Sequence, residues 1–205
     1  MIRVMLVDDH AVVREGYRRL LECQGDLQVV AEAGDGQQAL LAWREQQPEV
    51  TVVDLALPGL GGLELISRLR QRDPRARLLA FSMHRDPVWA TQALRAGALG
   101  YVTKSSPPEA LVAAVREVAR GHGVLSDDIA AHAEAPAAPP PHLTLSAREF
   151  DVLRGLLQGA SLDQIAEALH ISPKTVSNLQ TALRQKLGVA NAVELLRYAQ
   201  AHGLA

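Results

Sequence analysis

The sequence predicts two domains: an α/β domain built on a doubly wound, five-stranded parallel sheet, and a small all-α domain of four helices. Up to residue 121, short apolar runs alternate with amphipathic segments. A proline-rich stretch then follows, and beyond it the strand pattern stops while helical patterns continue. Alternation of this kind is typical of strands that helices bury on both faces.

The predicted strands are runs of Val, Leu, Ile and Ala that are too continuous for a half-exposed sheet. They cover residues 2–7, 27–31, 50–53, 78–81 and 99–102. The helices that accompany them cover residues 11–24, 36–47, 62–72, 87–96 and 107–120. Because parallel strands need crossover connections, this succession predicts a parallel sheet covered by helices on both sides.

The strongest break in composition is the segment 133–142, which holds four prolines. Proline fixes φ and removes a backbone donor, so we expect an extended, semi-rigid linker there. The chain then divides into a domain over residues 1–121, a helix and linker over 122–142 that is proline-rich from 135, and a domain over 143–205. In the last domain we predict four helix N-caps: Ser146, Ser161, Ser172 and Asn191.

Composition excludes several classes of protein. The chain has 205 residues, of which 48% are hydrophobic and 21% charged, and its formal net charge is −2. Such usage excludes global disorder. No apolar run approaches the roughly 18 residues needed to span a bilayer, and the lone Cys23 has no disulfide partner within the chain. We expect a soluble, cytoplasmic protein that has no membrane partner.

Chemically active residues follow four of the predicted strands. Ligands bind beyond the carboxyl ends of parallel strands, so these residues are expected to meet at one edge of the sheet. They are three carboxylates, a hydroxyl and a lysine: Asp8, Asp9, Asp54, Ser82 and Lys104. Three close carboxylates need a compensating cation, and oxygen ligands favour a hard ion such as Mg²⁺. We predict Asp9 as a direct ligand, Asp8 as a ligand through water, and Asp54 as both a ligand and a nucleophile toward phosphorus.

Residues 1–121 resemble the receiver domain of two-component response regulators. The matching positions are Asp8-Asp9, Asp54, Pro58-Gly59, Gly61-Gly62, Ser82, Tyr101 and Lys104. The resemblance implies a flavodoxin-like fold and a Mg²⁺-dependent transfer of phosphate from a sensor histidine kinase to Asp54. It also implies that Ser82 and Lys104 stabilise the phosphoryl group, that Tyr101 swings inward as part of a switch, and that Ala56 offers its backbone carbonyl to the metal.

Two positions beside this predicted pocket depart from the common pattern of the family. Met83 stands where small residues are common, and His84 comes next. Since both border the path of an attacking water, we expect them to tune the lifetime of the phosphoryl group. For His84 the simpler expectation is a solvent-exposed loop histidine.

The segment from Ser161 to Val176 has the spacing of a helix-turn-helix. Its first helix carries an apolar face in which the small Ala166 lets two helices approach closely. The second helix, predicted over residues 173–187, has basic residues and no acid. We predict that its basic and polar side chains contact double-stranded DNA. These are Lys174, Thr175, Ser177, Asn178, Gln180, Thr181, Arg184 and Lys186.

Residues 143–204 resemble the LuxR-type helix-turn-helix of NarL/FixJ regulators. The matching motifs are residues 143–149, 165–166, 172–176 and 186–189. The resemblance implies a DNA-binding unit that works as a homodimer, with Val193 and Leu196 of the last helix as candidate dimer contacts. Ser177, Leu179 and Gln180 stand where many relatives carry Lys, His or Arg, which predicts a weaker nonspecific affinity for DNA.

The two patterns together predict a phosphorylation-dependent transcriptional regulator rather than an enzyme. Two alternatives stay open. A Mg²⁺-dependent phosphohydrolase would also use an aspartyl intermediate, although such enzymes commonly place a second acid where this chain has Ala56. A signalling adaptor would use the helical domain to bind protein, whereas the motif over residues 172–176 favours DNA.

Overall fold

The computed structural model describes residues 1–130 and 140–204, and the chain separates into two compact units, Met1–Glu134 and Ala135–Ala205. Most of the proline-rich segment predicted as a linker lies outside the described residues. Its last residues are described, and Pro141–Thr144 form a 3₁₀ helix at the start of the second unit. The predicted domain limits at residues 121 and 143 stay predictions.

The first unit is a parallel α/β sheet, as predicted. Its strands are β1 (Ile2–Val7), β2 (Leu27–Ala33), β3 (Val50–Val53), β4 (Leu78–Ser82), β5 (Gly100–Thr103) and β6 (Val124–Leu125). Every neighbouring pair is parallel, and the strand order is β2-β1-β3-β4-β5-β6. The chain therefore reverses its direction of winding between β1 and β3, and the crevice beyond the carboxyl ends of these two strands is where a ligand of this fold binds.

The helices of this unit are α1 (Ala11–Glu22), α2 (Gly36–Gln46), α3 (Gly62–Arg72), α4 (Pro87–Ala96), α5 (Pro108–Ala119) and the short α6 (Asp127–Ala130). α1 packs with α5, while α3 packs with both α2 and α4. The core between sheet and helices is aliphatic, and Val4, Val50, Leu79 and Val115 have no exposed surface. Asp35 caps α2 by accepting hydrogen bonds from the backbone N–H groups of the first turn.

The prediction of five strands is one short, because β6 extends the sheet beyond β5. The two residues of β6 pair with Gly100 and Tyr101. A Cβ on Gly100 would lie 2.8 Å from the carbonyl oxygen of Val124, so glycine allows this close approach. Two residues are too few for a strand periodicity to show in the sequence. The stretch predicted as helix and linker therefore begins with β6 and the short α6.

The second unit has the four predicted helices. They are α7 (Ala147–Leu157), α8 (Leu162–Ala168), α9 (Pro173–Leu187) and α10 (Ala192–Ala201). Each predicted N-cap accepts a hydrogen bond from the backbone three residues on, and Ser146 and Ser161 form full capping boxes. Among the described helices, none combines the length and the apolar character that a membrane span requires.

Candidate functional site

The carboxyl ends of β1, β3 and β5 bring Asp8, Asp54 and Lys104 together, as predicted. The ammonium Nζ of Lys104 lies 2.6 Å from Oδ2 of Asp8 and 2.6 Å from Oδ2 of Asp54. All three side chains are almost fully buried, with exposed fractions of 7%, 8% and 4% for the lysine, Asp8 and Asp54. One cation thus neutralises part of the charge of two buried carboxylates, which would otherwise repel each other.

Lys104 stays charged in this position. Burial opposes the ammonium form, but hydrogen bonds to Asp54 and Asp8 and the charges of these carboxylates outweigh it, so the pKa of Lys104 is raised above its usual value. The other oxygens of the two acids meet backbone groups. Oδ1 of Asp54 accepts from the N–H of Ala56 at 3.0 Å, and Oδ1 of Asp8 accepts from the N–H of His10 at 2.8 Å.

The loop after Asp54 is held close to α3. A Cβ on Gly62 would lie 2.1 Å from the carbonyl oxygen of Asp54 and 2.6 Å from Cα of Leu55. Only glycine fits at this position, because both of these neighbours are backbone atoms. Gly62, the second glycine of the pair in the sequence motif, therefore has a physical reason: it lets the first turn of α3 pack directly on the backbone that carries the acid.

The donor set fits a divalent cation. Ligand atoms of Asp8, Asp9, His10 and Asp54 all lie within 4.8 Å of one another. Asp9 is more exposed than Asp8, with 31% against 8% of its side chain accessible, in keeping with a direct ligand at the mouth of the site. Carboxylate oxygens are the donors that Mg²⁺ prefers. His10 was not among the predicted site residues, although its place directly after Asp9 was a signal.

Ser82 and Tyr101 both contact the backbone of His84. The Ser82 Oγ accepts from the His84 N–H at 3.3 Å, and the Tyr101 hydroxyl donates to the His84 carbonyl at 2.7 Å. Tyr101 is fully buried, and this burial raises the pKa of its phenol, which therefore remains protonated. The expectation that His84 is a solvent-exposed loop residue is wrong: its ring is half-buried and stacks on Trp89 with centroids 3.9 Å apart.

The second predicted site lies on α9. Its apolar face is buried through Val176, Leu183 and Leu187. The predicted DNA contacts in its first half, Lys174, Thr175, Ser177 and Asn178, are exposed, and so is Thr181 just beyond the midpoint, while Gln180 and Arg184 are half-buried. Ser172 caps the helix through the Thr175 N–H at 3.1 Å. The basic and polar residues of this half therefore form one accessible surface, and their contact with DNA stays a prediction.

Lys186 differs from the other predicted DNA contacts. Its Nζ lies 2.7 Å from Oε2 of Glu149, whose side chain is 7% exposed. Burial favours the neutral form of Glu149, but the ion pair with Lys186 and the hydrogen bonds from Ser146 outweigh this and lower the pKa of the carboxyl. The Lys186 charge thus joins α9 to the capping box of α7, and its contact with DNA stays a prediction.

The predicted dimer residues lie on the open side of α10. Val193 is 62% exposed and Leu196 is 44% exposed, while Leu195 and Ala199 of the same helix are buried. The buried pair completes the packing of the second unit. The exposed pair lies three positions apart on this helix, and its role as a dimer contact stays a prediction.

Comparisons with known proteins agree with both halves of this description. Residues 4–116 match the model of the response regulator receiver domain, and residues 143–199 match that of the bacterial regulatory proteins of the luxR family. The chain is 41% identical to the transcriptional regulatory protein UhpA of Escherichia coli (strain K12) over 96% of this chain and 97% of UhpA. It is 34% identical to the response regulator UvrY of the same strain over 100% of this chain and 96% of UvrY.

Solved structures are similar too. RcsB from Salmonella enterica serovar Typhimurium, bound to promoter rprA in the presence of the phosphomimetic BeF3-, superposes with a TM-score of 0.73 and 27% identity over 98% of this chain and 100% of that chain. A two-component response regulator of the LuxR family from Aurantimonas sp. SI85-9A1 has a TM-score of 0.62 and 50% identity over 63% of this chain and 92% of that chain.

Proposed function

The chain belongs to the response regulators that join a receiver domain to a luxR-type DNA-binding domain, and on this premise we propose that phosphorylation of Asp54 controls its binding to DNA. The single observation that carries the proposal is the contact of Lys104 with both Asp8 and Asp54 at 2.6 Å. This contact places a cation against the largely buried carboxylate of Asp54, beside an acidic edge that suits a divalent cation.

The phosphoryl donor is a phosphohistidine of a sensor kinase. A carboxylate oxygen of Asp54 attacks phosphorus, the P–N bond breaks, its electron pair returns to the imidazole, and an aspartyl phosphate forms. Lys104 remains charged and neutralises a phosphoryl oxygen, while the Ser82 hydroxyl donates a hydrogen bond to another. Asp9 and Asp54, with Asp8 through water and the Ala56 carbonyl, would hold Mg²⁺, which supplies further positive charge to the phosphoryl oxygens.

The backbone of residue 84 carries the change outward. Its N–H donates to Ser82 and its carbonyl accepts from Tyr101, so a Ser82 hydroxyl that turns toward the phosphoryl group leaves His84 with one bond fewer. Tyr101 and the stacked Trp89 then adjust with it. Phosphorylation thereby shifts an existing equilibrium between two arrangements of β4, α4 and β5, and the new arrangement frees the DNA-binding domain and favours the dimer.

The DNA-reading element is the exposed first half of α9. Lys174 and the hydroxyl and amide groups near it suit phosphates and base edges of a major groove. Val193 and Leu196 of α10 pair two copies, so that two helices reach symmetric half-sites. RcsB, a relative of similar structure, is described bound to DNA as a dimer. We place this regulator in the cytoplasm as a stoichiometric phosphoryl acceptor, and not as a turnover enzyme.

Selection of bound fragments from fragmented genomic DNA tests the proposal. The wild-type chain, treated with Mg²⁺ and acetyl phosphate, is expected to enrich a small set of fragments more strongly than the untreated chain. Asp54→Asn should show no increase with the phosphodonor, and Asp73→Asn at the end of α3 serves as the matched control that responds normally. Enrichment that does not depend on the phosphodonor, or that persists in Asp54→Asn, would contradict the proposal.

A further inference from the structure

The imidazole of His10 lies directly beside the acidic edge. Its Nδ1 is 2.8 Å from Oδ1 of Asp9 and 3.4 Å from Oδ1 of Asp8. The ring is 66% exposed, so solvent and a dissolved cation can reach it. Neither the phosphoryl acceptor nor the lysine contact requires an imidazole at this position.

The carboxylates are already engaged to different degrees. Asp8 accepts hydrogen bonds on both oxygens, from Lys104 and from the His10 backbone, and Asp54 accepts on both oxygens, from Lys104 and from the Ala56 backbone. Asp9 is the most exposed of the three acids. Asp9 and His10 are therefore the residues placed to bind the outer side of a metal ion at this edge.

The spacing of the two outer atoms suits a shared cation. Adjacent ligands of an octahedral ion at about 2.1 Å each are separated by about 3 Å. The separation of 2.8 Å between Nδ1 of His10 and Oδ1 of Asp9 is close to this value. All four candidate ligand atoms, those of Asp54 and Asp8 included, lie within 4.8 Å of one another.

An imidazole ligand changes which cation a site prefers. Mg²⁺ is a hard ion that takes oxygen ligands, whereas imidazole nitrogen suits first-row transition metals and binds them in the Irving–Williams order. Replacing one oxygen or water ligand by an imidazole thus raises affinity for an ion such as Co²⁺ while adding little for Mg²⁺.

We propose that His10 is a metal-selectivity residue, which adds a nitrogen ligand to the acidic edge and shifts its preference from Mg²⁺ toward transition-metal dications. The inference rests on the proposed function in that both use the same acidic edge. The competing role is that the Nδ1–H of His10 only orients Asp9 by a hydrogen bond. In that role the residue would support every cation equally, because the donor set would consist of oxygens alone.

Calorimetric titration of the full, untagged chain with MgCl₂ and with CoCl₂ separates these roles. His10→Asn is the informative variant, because the amide nitrogen of asparagine still donates to Asp9 but the imidazole ligand is gone. His122→Asn, at the far end of α5 beside Glu117, controls for cobalt binding to other surface histidines. Asp9→Asn shows whether the measured binding occurs at the acidic edge.

We expect His10→Asn to lower Co²⁺ affinity by on the order of tenfold. Loss of a residue that only hydrogen-bonds to a metal ligand already lowers metal affinity by about this factor. Its Mg²⁺ affinity should fall much less, and Asp9→Asn should weaken both ions. An equal loss for both ions, no loss for Co²⁺, or Co²⁺ binding that survives Asp9→Asn would overturn the inference alone. A wild-type chain that binds neither ion would also contradict the metal requirement of the proposed function, which distinguishes the two failures.

Discussion

The Nζ of Lys104 lies 2.6 Å from Oδ2 of Asp54, and both side chains are more than nine-tenths buried. The two residues follow β5 and β3, which β4 separates in the sheet. The contact therefore joins the ends of two strands that are not neighbours in the sheet. Any group added to Asp54 must therefore replace this ion pair or move Lys104. Either change shifts the strands and helices that pack around the two side chains.

Removal of the lysine should destabilise the first unit. Lys104→Met leaves Asp8 and Asp54 buried and close without their cation, which costs about 3 kcal/mol in the free energy of unfolding. Urea unfolding of the full chain measures the loss, and added Mg²⁺ should recover part of it, since the ion binds the folded state alone. Arg19→Met is the control, because it removes an exposed ion pair with Glu15 in which the Arg19 side chain is 75% exposed. It should lower the free energy of unfolding by less than about 1 kcal/mol. Equal losses in the two variants would show that the buried contact is not special.

Lys186 and Lys174 should differ in what they support. Lys186→Met leaves the nearly buried Glu149 without its partner, so we expect a loss of about 1–3 kcal/mol in the stability of the second unit. Lys174→Ala should change stability by less than about 0.5 kcal/mol, while lowering the slope of DNA affinity against salt concentration by about one. Thermal unfolding and anisotropy titrations at several salt concentrations measure these effects. A reversed pattern would mean that Lys186 is the DNA contact.

The second unit should lose stability in mild acid because of His142. This residue is 1% exposed, its Nδ1 lies 2.9 Å from the Tyr198 hydroxyl, and burial together with the charge of His202 lowers its pKa to about 4. The unfolded chain takes up this proton near pH 6.5 and the folded unit does not. His142 therefore leaves the free energy of unfolding of the second unit unchanged above about pH 6.5. As pH falls toward 4, this free energy decreases by at most about 3 kcal/mol.

Calorimetric unfolding of the full chain between about pH 7 and pH 5 measures this loss. His142→Gln removes the titrating group, so its unfolding temperature should depend less on pH than that of the wild type. His170→Gln changes an exposed histidine of the same unit and should keep the wild-type dependence. If His142→Gln retains the full pH dependence, another group is responsible.

Trp89 should report the switch. Its ring stacks on His84, whose backbone contacts both Ser82 and Tyr101. In a Trp43→Phe background, where Trp89 is the remaining tryptophan, acetyl phosphate and Mg²⁺ should change the emission. His84→Ala should alter the resting emission and reduce the response. An emission unaffected by the phosphodonor in a chain shown to be phosphorylated would remove His84 from the switch.

The strands and the acidic edge could be predicted because they depend on local pattern and on one rule of topology. Continuous apolar runs indicate buried parallel strands, and the residue after each strand must lie at the carboxyl edge, which brings Asp54 and Lys104 together. The four caps of the second unit, such as Ser146, were equally local signals.

The remaining features depend on contacts between distant residues. The pair of Lys186 and Glu149 spans 37 positions, so nothing in the pattern of α9 indicates that this lysine also binds a glutamate of α7. The stacking of His84 on Trp89 requires the actual path of the loop before α4. The strand β6 consists of two residues and is recognised only by its pairing with β5.

The most direct test of the account is the uptake of phosphate by the intact chain. Mass spectrometry after incubation with acetyl phosphate and Mg²⁺ should show one added phosphoryl group on the wild type and on Asp73→Asn. Asp54→Asn should show none. The group should be lost in hydroxylamine, as expected for an acyl phosphate. Uptake by Asp54→Asn at the wild-type rate would contradict the assignment of Asp54 as the phosphoryl acceptor.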